Sequence, residues 1–486
     1  MDWLHTHFDL YMWPAIVVLY YTLVVFAVIK ILLENKNPLK TYSYLLILVL
    51  VPVVGLLIYF FFGQDYRKNK FYSRKMAIDE TIVEDLVNSQ LDMAYQHELI
   101  KDERVLDKIN VIQLLLSSDR AFLTRNNKVT MLVNGEVKFD HLRKDLEKAE
   151  RNIHLEYYIF EEDEIGNEIA EILIRKAKEG VDVRFIYDDV GSKVSRRLKA
   201  RFKDAGVKAF AIMPVYFPKL SKANYRDHRK IVVIDGKLGY VGGINIADRY
   251  INKQGRNYWR DTHLKIEGNA VHALQIAFLL NWFYASNESM EFKRDLFPQI
   301  PPMGNHCVQI AGSGPDSDWA SIMQAFFMAI TSAKKRVWIT TPYFIPNEPV
   351  LTAIKTASLS GIDVQIIFPY KPDSKMVHAA SMSYMKEVLE SGVKVHLYTK
   401  GFIHSKTLII DNILSSVGTA NMDFRSFDQN YEINAMIYNK EFNEQLAGQF
   451  KQDMGHCIPL QLSRWQQRPV RTRLLESIAR LLAPIL

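Results

Sequence analysis

The chain has 486 residues, 48% of them hydrophobic, which excludes a disordered protein and allows two or three domains with ample core. A formal net charge of +7 points to a polyanionic partner, nucleic acid or an anionic membrane, without choosing between them. The two cysteines, Cys307 and Cys457, exclude a disulfide framework, and the His306-Cys307 and His456-Cys457 pairs are too loosely spaced to mark a metal site.

Two apolar segments open the chain. Trp13 to Leu33 is almost wholly apolar, with Lys30 near its end, and Tyr44 to Phe62 carries no charge. Each is long enough to cross a bilayer. The first ten residues lack Lys and Arg, unlike a secretory signal peptide. Arg67, Lys68, Lys70, Arg74 and Lys75 follow with no acid among them, so the positive-inside rule puts that side in the cytoplasm. The loop with Lys36 and Lys40 is mildly basic and runs against the rule. Residues 1–65 are thus expected to form a two-helix membrane anchor, and the polar, helical stretch 66–130 a linker.

The chain then repeats itself. Ala149–Phe160 parallels Ala333–Phe344, Gly180–Ile186 parallels Gly361–Ile367, and Ala205–Lys208 parallels Ser391–Lys394. Helical patterns over Glu168–Lys178 and Pro349–Ser358 alternate with these strand-like runs, which implies an α/β sandwich in each half. Two halves this long imply similar domains, 131–300 and 301–460, related by a pseudo-twofold axis. Pro301, Pro302 and Gly304 mark the break between them. The glycine-rich run Ala311–Pro315 is a loop entering the second half.

Each half carries one stretch of the form H-x-K-x4-D: His228, Lys230 and Asp235 in the first, His404, Lys406 and Asp411 in the second. Each continues identically to a glycine and an asparagine, Gly242 and Asn245, then Gly418 and Asn421. The β-branched runs inside predict buried strands, and alternation puts each histidine and its lysine on one face. Asp235-Gly236 and Asp411-Asn412 predict turns that hold the motif's architecture. An imidazole, an ammonium and a carboxamide together suit a phosphate. Two such sets facing one another supply one histidine to attack and one to protonate a leaving group.

This duplicated motif resembles the HKD signature of the phospholipase D superfamily. With two membrane segments ahead of it, Pro52–Gly55 in the second and Thr341–Phe344 in the second half, the chain resembles the bacterial cardiolipin synthases over nearly its whole length. The resemblance implies a catalytic set of His228, Lys230, Asp235, His404, Lys406 and Asp411, with Lys230, Asn245, Lys406 and Asn421 on the substrate phosphate. It implies an acidic residue bonded to each histidine. Glu432 fits that place, and Asp261 departs from it in type and spacing. Gly243 stands where many members have serine or threonine, as Thr419 does in the second half. The implied reaction joins two phosphatidylglycerols into cardiolipin and glycerol through a phosphohistidine, with no cofactor and no metal. His228 is assigned as nucleophile because the first motif commonly supplies it. A membrane-bound phospholipase D-type hydrolase and a non-catalytic lipid-binding scaffold stay open as alternatives. The expected partners are phosphatidylglycerol, anionic lipids and the bacterial inner membrane, crossed more than once, with the catalytic domains facing the cytoplasm. Nucleic acid is not expected, and the oligomeric state is left open.

Two further stretches look membrane-directed. Pro214–Lys222 mixes aromatics with lysines just before the first motif. The C-terminal segment 461–486 is an amphipathic basic helix with Val470, Leu474, Leu475, Ile478, Leu481, Leu482 and Ile485 on one face, and Arg471, Arg473 and Arg480 supplying charge. A helix packed on the domain fits that pattern as well.

Overall fold

A computed structural model describes residues 12–33, 38–51, 55–56, 80–96, 102–215, 224–253, 258–288 and 294–481. The chain divides into an N-terminal unit and a larger body. In the N-terminal unit, helix Trp13–Leu33 packs on helix Pro38–Leu50 through Ala27, Ile31 and Leu48. Most of its other apolar side chains face outward, as a lipid-facing helix requires. Trp13–Leu33 is, among the described residues, the one helix long and apolar enough to cross a membrane. The second expected segment, Tyr44–Phe62, is helical to Leu50, and most of its remainder lies outside the described residues. So do residues 216–222 of the Pro214–Lys222 stretch.

The body is built from two copies of one α/β plan. The first copy holds strands β1 (Thr124–Val133), β2 (Asn152–Tyr157), β3 (Asp182–Asp188), β4 (Lys208–Ile212), β5 (Lys230–Ile234), β6 (Leu238–Gly242), β7 (Trp259–Arg260) and β8 (Thr262–Glu267). The second holds β9 (His306–Ser313), β10 (Arg336–Thr340), β11 (Phe344–Ile345), β12 (Asp363–Pro369), β13 (Lys394–Tyr398), β14 (Phe402–Ile403), β15 (Thr407–Ile410), β16 (Leu414–Gly418), β17 (Met422–Asp423), β18 (Glu432–Tyr438) and β19 (Cys457–Pro459). Strand order is β4-β3-β2-β5-β6-β8-β1 in the first copy and β13-β12-β10-β15-β16-β18-β9 in the second, with β19 outside β13. The two orders superimpose strand for strand. An antiparallel β1–β9 pair joins them into one sheet of 15 strands.

That sheet folds back on itself, so β6 lies against β16 and β18. The alternation of the motif strands now has a meaning. Ile231 and Val233 of β5 meet Ile409 of β15 in a core shared by the halves. Val232 and Ile234 face the helices of the first half, and Leu408 and Ile410 those of the second. A strand apolar on both faces is what a sheet buried on both faces demands. Each half thus carries helices on its outer face and shares its inner face, against which helices Ala270–Ser286 and Lys440–Met454 also pack.

The stretch 66–130, expected as a linker, is different in its described part. Val105, Ile109, Ile112, Leu115 and Leu116 are buried in the core of the second half. Gln309 of β9 donates to the carbonyls of Ile112 and Ala121 at 3.2 and 2.7 Å. Apolar residues at 105, 109, 112 and 116 recur at helical spacing, and that face needs a partner. The strand β1 begins inside the same stretch, at Thr124.

Candidate active site

The two motif strands end alike. Asp235 and Asp411 sit at φ 52° and 53°, in left-handed turns that aspartate tolerates. The Asp235 carboxylate accepts from the amides of Glu150, Arg151 and Asn152, and that of Asp411 from Lys334, Lys335 and Arg336. Each clamps the far end of its motif to the start of the neighbouring strand, β2 or β10. Neither lines the cavity described below, because a strand separates each from its histidine. Their geometry is that of turn anchors.

At the other end the halves exchange partners. His228 takes its backbone hydrogen bond from the second half, donating to the Tyr431 carbonyl at 3.0 Å, and His404 donates to the Arg260 carbonyl at 2.7 Å. Tyr431 and Arg260 each precede an acid. Glu432 thereby meets His228 Nδ1 at 2.9 and 3.0 Å, and Asp261 meets His404 Nδ1 at 2.7 Å. Both carboxylates are fully buried. A carboxylate can only accept, so Nδ1 carries the proton in both rings and Nε2 keeps its lone pair. The short side chain of Asp261 reaches as well as the longer Glu432.

Burial pulls the His228 imidazole down to about 4 against the pull of Glu432, and the His404 imidazole down to about 3, with Lys406 adding to the effect. Both rings are neutral at neutral pH, as a nitrogen nucleophile must be. For Glu432, burial opposes its charge, but His228 and Lys230 overcome this and hold the carboxyl below its usual range. Burial also lowers the Lys230 ammonium to about 7 and that of Lys406 to about 8. Each lysine donates to the carbonyl of its own histidine, at 2.6 and 2.5 Å. An ammonium has three donors, so each has others to spare. Asn245 accepts from the amide of Ile159 at 3.1 Å and donates to the Tyr250 hydroxyl at 2.9 Å. Asn421 donates to Asp423 at 3.0 Å, and its carbonyl oxygen is buried without a partner.

His228, His404, Asn245 and Asn421 open on one cavity of about 560 Å³. Lys230 and Lys406 do not reach the lining: they are buried beside their histidines. The cavity offers two imidazoles and two carboxamides with two lysines just behind them, a set that suits one phosphodiester.

Comparison with known proteins agrees with this geometry. The family model described as cardiolipin synthase, PLD-like domain, matches twice, over residues 142–271 and 326–454. A phospholipase D-nuclease N-terminal model matches residues 22–64. A cardiolipin synthase of Geobacillus sp. (strain WCH70) is 42% identical over 467 residues, covering 95% of this chain and 92% of that one. One from Halalkalibacterium halodurans is 44% identical over 468 residues, with the same coverage. The chain belongs to the cardiolipin synthase family. Among solved structures, the phosphatidylserine synthase of Haemophilus influenzae Rd KW20 shares the fold, with a TM-score of 0.60 at 16% identity over 78% of this chain and all of that one.

This member of the family shows cavity residues that motif reading passes over. Tyr158 lies edge-on to His228 with ring centroids 5.0 Å apart, and Trp259 lies 5.2 Å from His404. Arg226, Arg249 and Arg425 add cations to the lining. Arg226 pairs with Asp188 at 3.2 Å and Arg249 with Glu161 at 3.1 Å. Tyr158 sits inside the repeated Ala149–Phe160 segment, and Arg226 two residues before the motif. Those positions were the available signal, since the residue types match ordinary core and surface.

The Gly243–Thr419 difference has a cause other than a missing phosphate contact. Thr419 is fully buried, and its hydroxyl accepts from the Ile433 amide at 2.9 Å, away from the cavity. A Cβ on Gly243 would stand 2.2 Å from Asp261 Oδ1. Glycine is required there because the Asp261 carboxylate occupies the space.

Proposed function

We propose that the chain transfers a phosphatidyl group between two phosphatidylglycerols, giving cardiolipin and glycerol through a phosphohistidine. One observation carries the reading: two neutral histidines, each held by a carboxylate of the opposite half, opening on a single cavity. His228 Nε2 attacks phosphorus while the P–O bond to glycerol breaks, and the departing oxygen takes a proton from His404. The arriving phosphodiester brings the negative charge that lets His404 Nε2, neutral in the free enzyme, take that proton from water before the bond breaks. Lys230 and Lys406, with Asn245 and Asn421, hold the phosphoryl oxygens. The free hydroxyl of a second phosphatidylglycerol then gives its proton back to His404 and attacks, and the P–N bond breaks. A bound acceptor lipid outcompetes water through its high effective concentration. The choice of His228 as nucleophile rests on the resemblance alone.

The reading extends to two catalytic domains, expected over 131–300 and 301–460 with β1 carrying the start of the first back to Thr124, on the cytoplasmic side of a bacterial membrane that residues 1–65 cross twice. The basic cluster at residues 67–75 supports that side. Product analysis on phosphatidylglycerol vesicles tests the proposal: cardiolipin and glycerol in equal amounts are expected. Phosphatidic acid in place of cardiolipin would make water the acceptor and the chain a hydrolase.

A further inference from the structure

The C-terminal helix Val470–Leu481 is docked with its apolar side outward. Ala479 and Glu476 are its buried residues. Arg480 pairs with Glu387 at 2.7 Å and stacks over the Tyr384 ring at 4.2 Å, while Arg468 grips Glu476 at 2.6 Å. Val470, Leu474, Leu475, Ile478 and Leu481 are left between 48% and 80% exposed. A helix that only completed the fold in water would turn that side inward. The helix packs on helix Lys375–Ser383, whose Val377, with Asp373 just before it, lines the cavity. Tyr370, five residues before that helix, and Met376, within it, are also exposed. Arg471, Arg473, Lys371 and Lys375 are exposed too, and Glu476, the acid of the C-terminal helix, is buried and paired.

We propose that this face is seated in the surface of an anionic lipid bilayer and holds the mouth of the cavity against it. The proposal rests on the lipid-transfer reading above. Charge argues for lipid as the occupant. A second copy would bring the same cations against themselves, whereas anionic headgroups complement them, and acyl chains take the leucines. The seat is separate from the N-terminal anchor: it would orient the body, not recruit it.

The test uses the full chain. A Leu474→Glu/Leu475→Glu variant is assayed on phosphatidylglycerol vesicles and on short-chain phosphatidylglycerol dispersed as monomers. At least a tenfold loss of kcat/KM on vesicles is expected, with monomer turnover unchanged. No change on vesicles, or equal loss on both substrates, overturns the proposal. Independently, Ile478→Cys in a Cys307→Ser/Cys457→Ser background is labelled with a fluorophore. Quenching by brominated acyl chains and protection from aqueous iodide are expected in vesicles. Free quenching by iodide overturns the proposal, as does energy transfer between labelled copies with no lipid quenching, which would assign the face to a second copy. If the unaltered enzyme makes no cardiolipin from either substrate, the functional reading fails, while the quenching result still decides the seat.

Discussion

The two histidines are chemically alike in their residue types and differ in what surrounds them. One shared site predicts that His228→Ala and His404→Ala each abolish synthesis, whereas independent sites would leave about half the activity in each. A substrate with a nitrophenol-like leaving group separates the roles: it should partly rescue His404→Ala and leave His228→Ala dead. Rescue of the His228 variant instead would exchange them. Gly243→Ala gives a sharper test of the exchanged carboxylate. The added methyl would displace the buried Asp261 carboxylate, with a loss of stability that thermal unfolding reads separately. Asp261 would then leave His404, and kcat should fall by up to about ten-thousandfold, as for loss of the carboxylate in other carboxylate–histidine pairs. Wild-type kcat in a folded Gly243→Ala protein would show that Asp261 does not matter to His404. Asp261→Asn should match it in size.

The lysines predict opposite pH trends for activity and stability. The ammonium form holds phosphate, and burial lowers Lys230 to about 7 and Lys406 to about 8. Charge is lost as pH rises through that window, so kcat/KM on monomeric substrate should fall by about tenfold per pH unit between the two values and about a hundredfold per unit above both. The unfolded lysines keep their protons up to 10.5, so between these values the unfolded chain binds more protons, and the lysines' contribution to stability rises with pH. A flat kcat/KM to pH 10 would remove the lysine charge from the mechanism.

Among the elements, the helix Ile109–Asp119 and the turn before it change standing most. Lys108 is fully buried and bonds Asp411 at 2.7 Å and the Ser332 carbonyl at 2.8 Å. The turn that anchors the second motif is thus completed by a residue from outside that half. Removing one partner of a buried pair strands the other's charge, so Lys108→Ala should cost about 3 kcal/mol. Thermal unfolding in detergent measures it. A change of melting temperature within error would mean the pair is solvated. Among the described residues no lysine bonds Asp235, whose carboxylate is held by backbone amides.

For the whole molecule, the exchange of carboxylates makes neither half a complete site. Residues 301–304 are exposed at the junction, so cleavage there should leave the two pieces assembled and active. Separated, neither piece should turn over phosphatidylglycerol, because each histidine has lost its acid and the second half has lost the helix that fills its core. Activity in one isolated piece would contradict the exchange.

Much of this was legible in the residues. Strand burial, turn chemistry and duplication are local or periodic properties, and Ile231–Ile234, Asp235-Gly236 and the twice-repeated H-x-K pattern display them openly. The family, the α/β plan of each half and the set of polar groups follow from such signals. Tertiary structure alone decided the pairing. Nothing in Asp261 or Glu432 says which histidine it meets, because that depends on two chain segments, 204 and 143 residues apart, lying side by side where the halves meet. The outward turn of the C-terminal leucines was equally hidden. Amphipathic spacing says that a face exists, and only the packing of Glu476 and Ala479 against the body says which way it points.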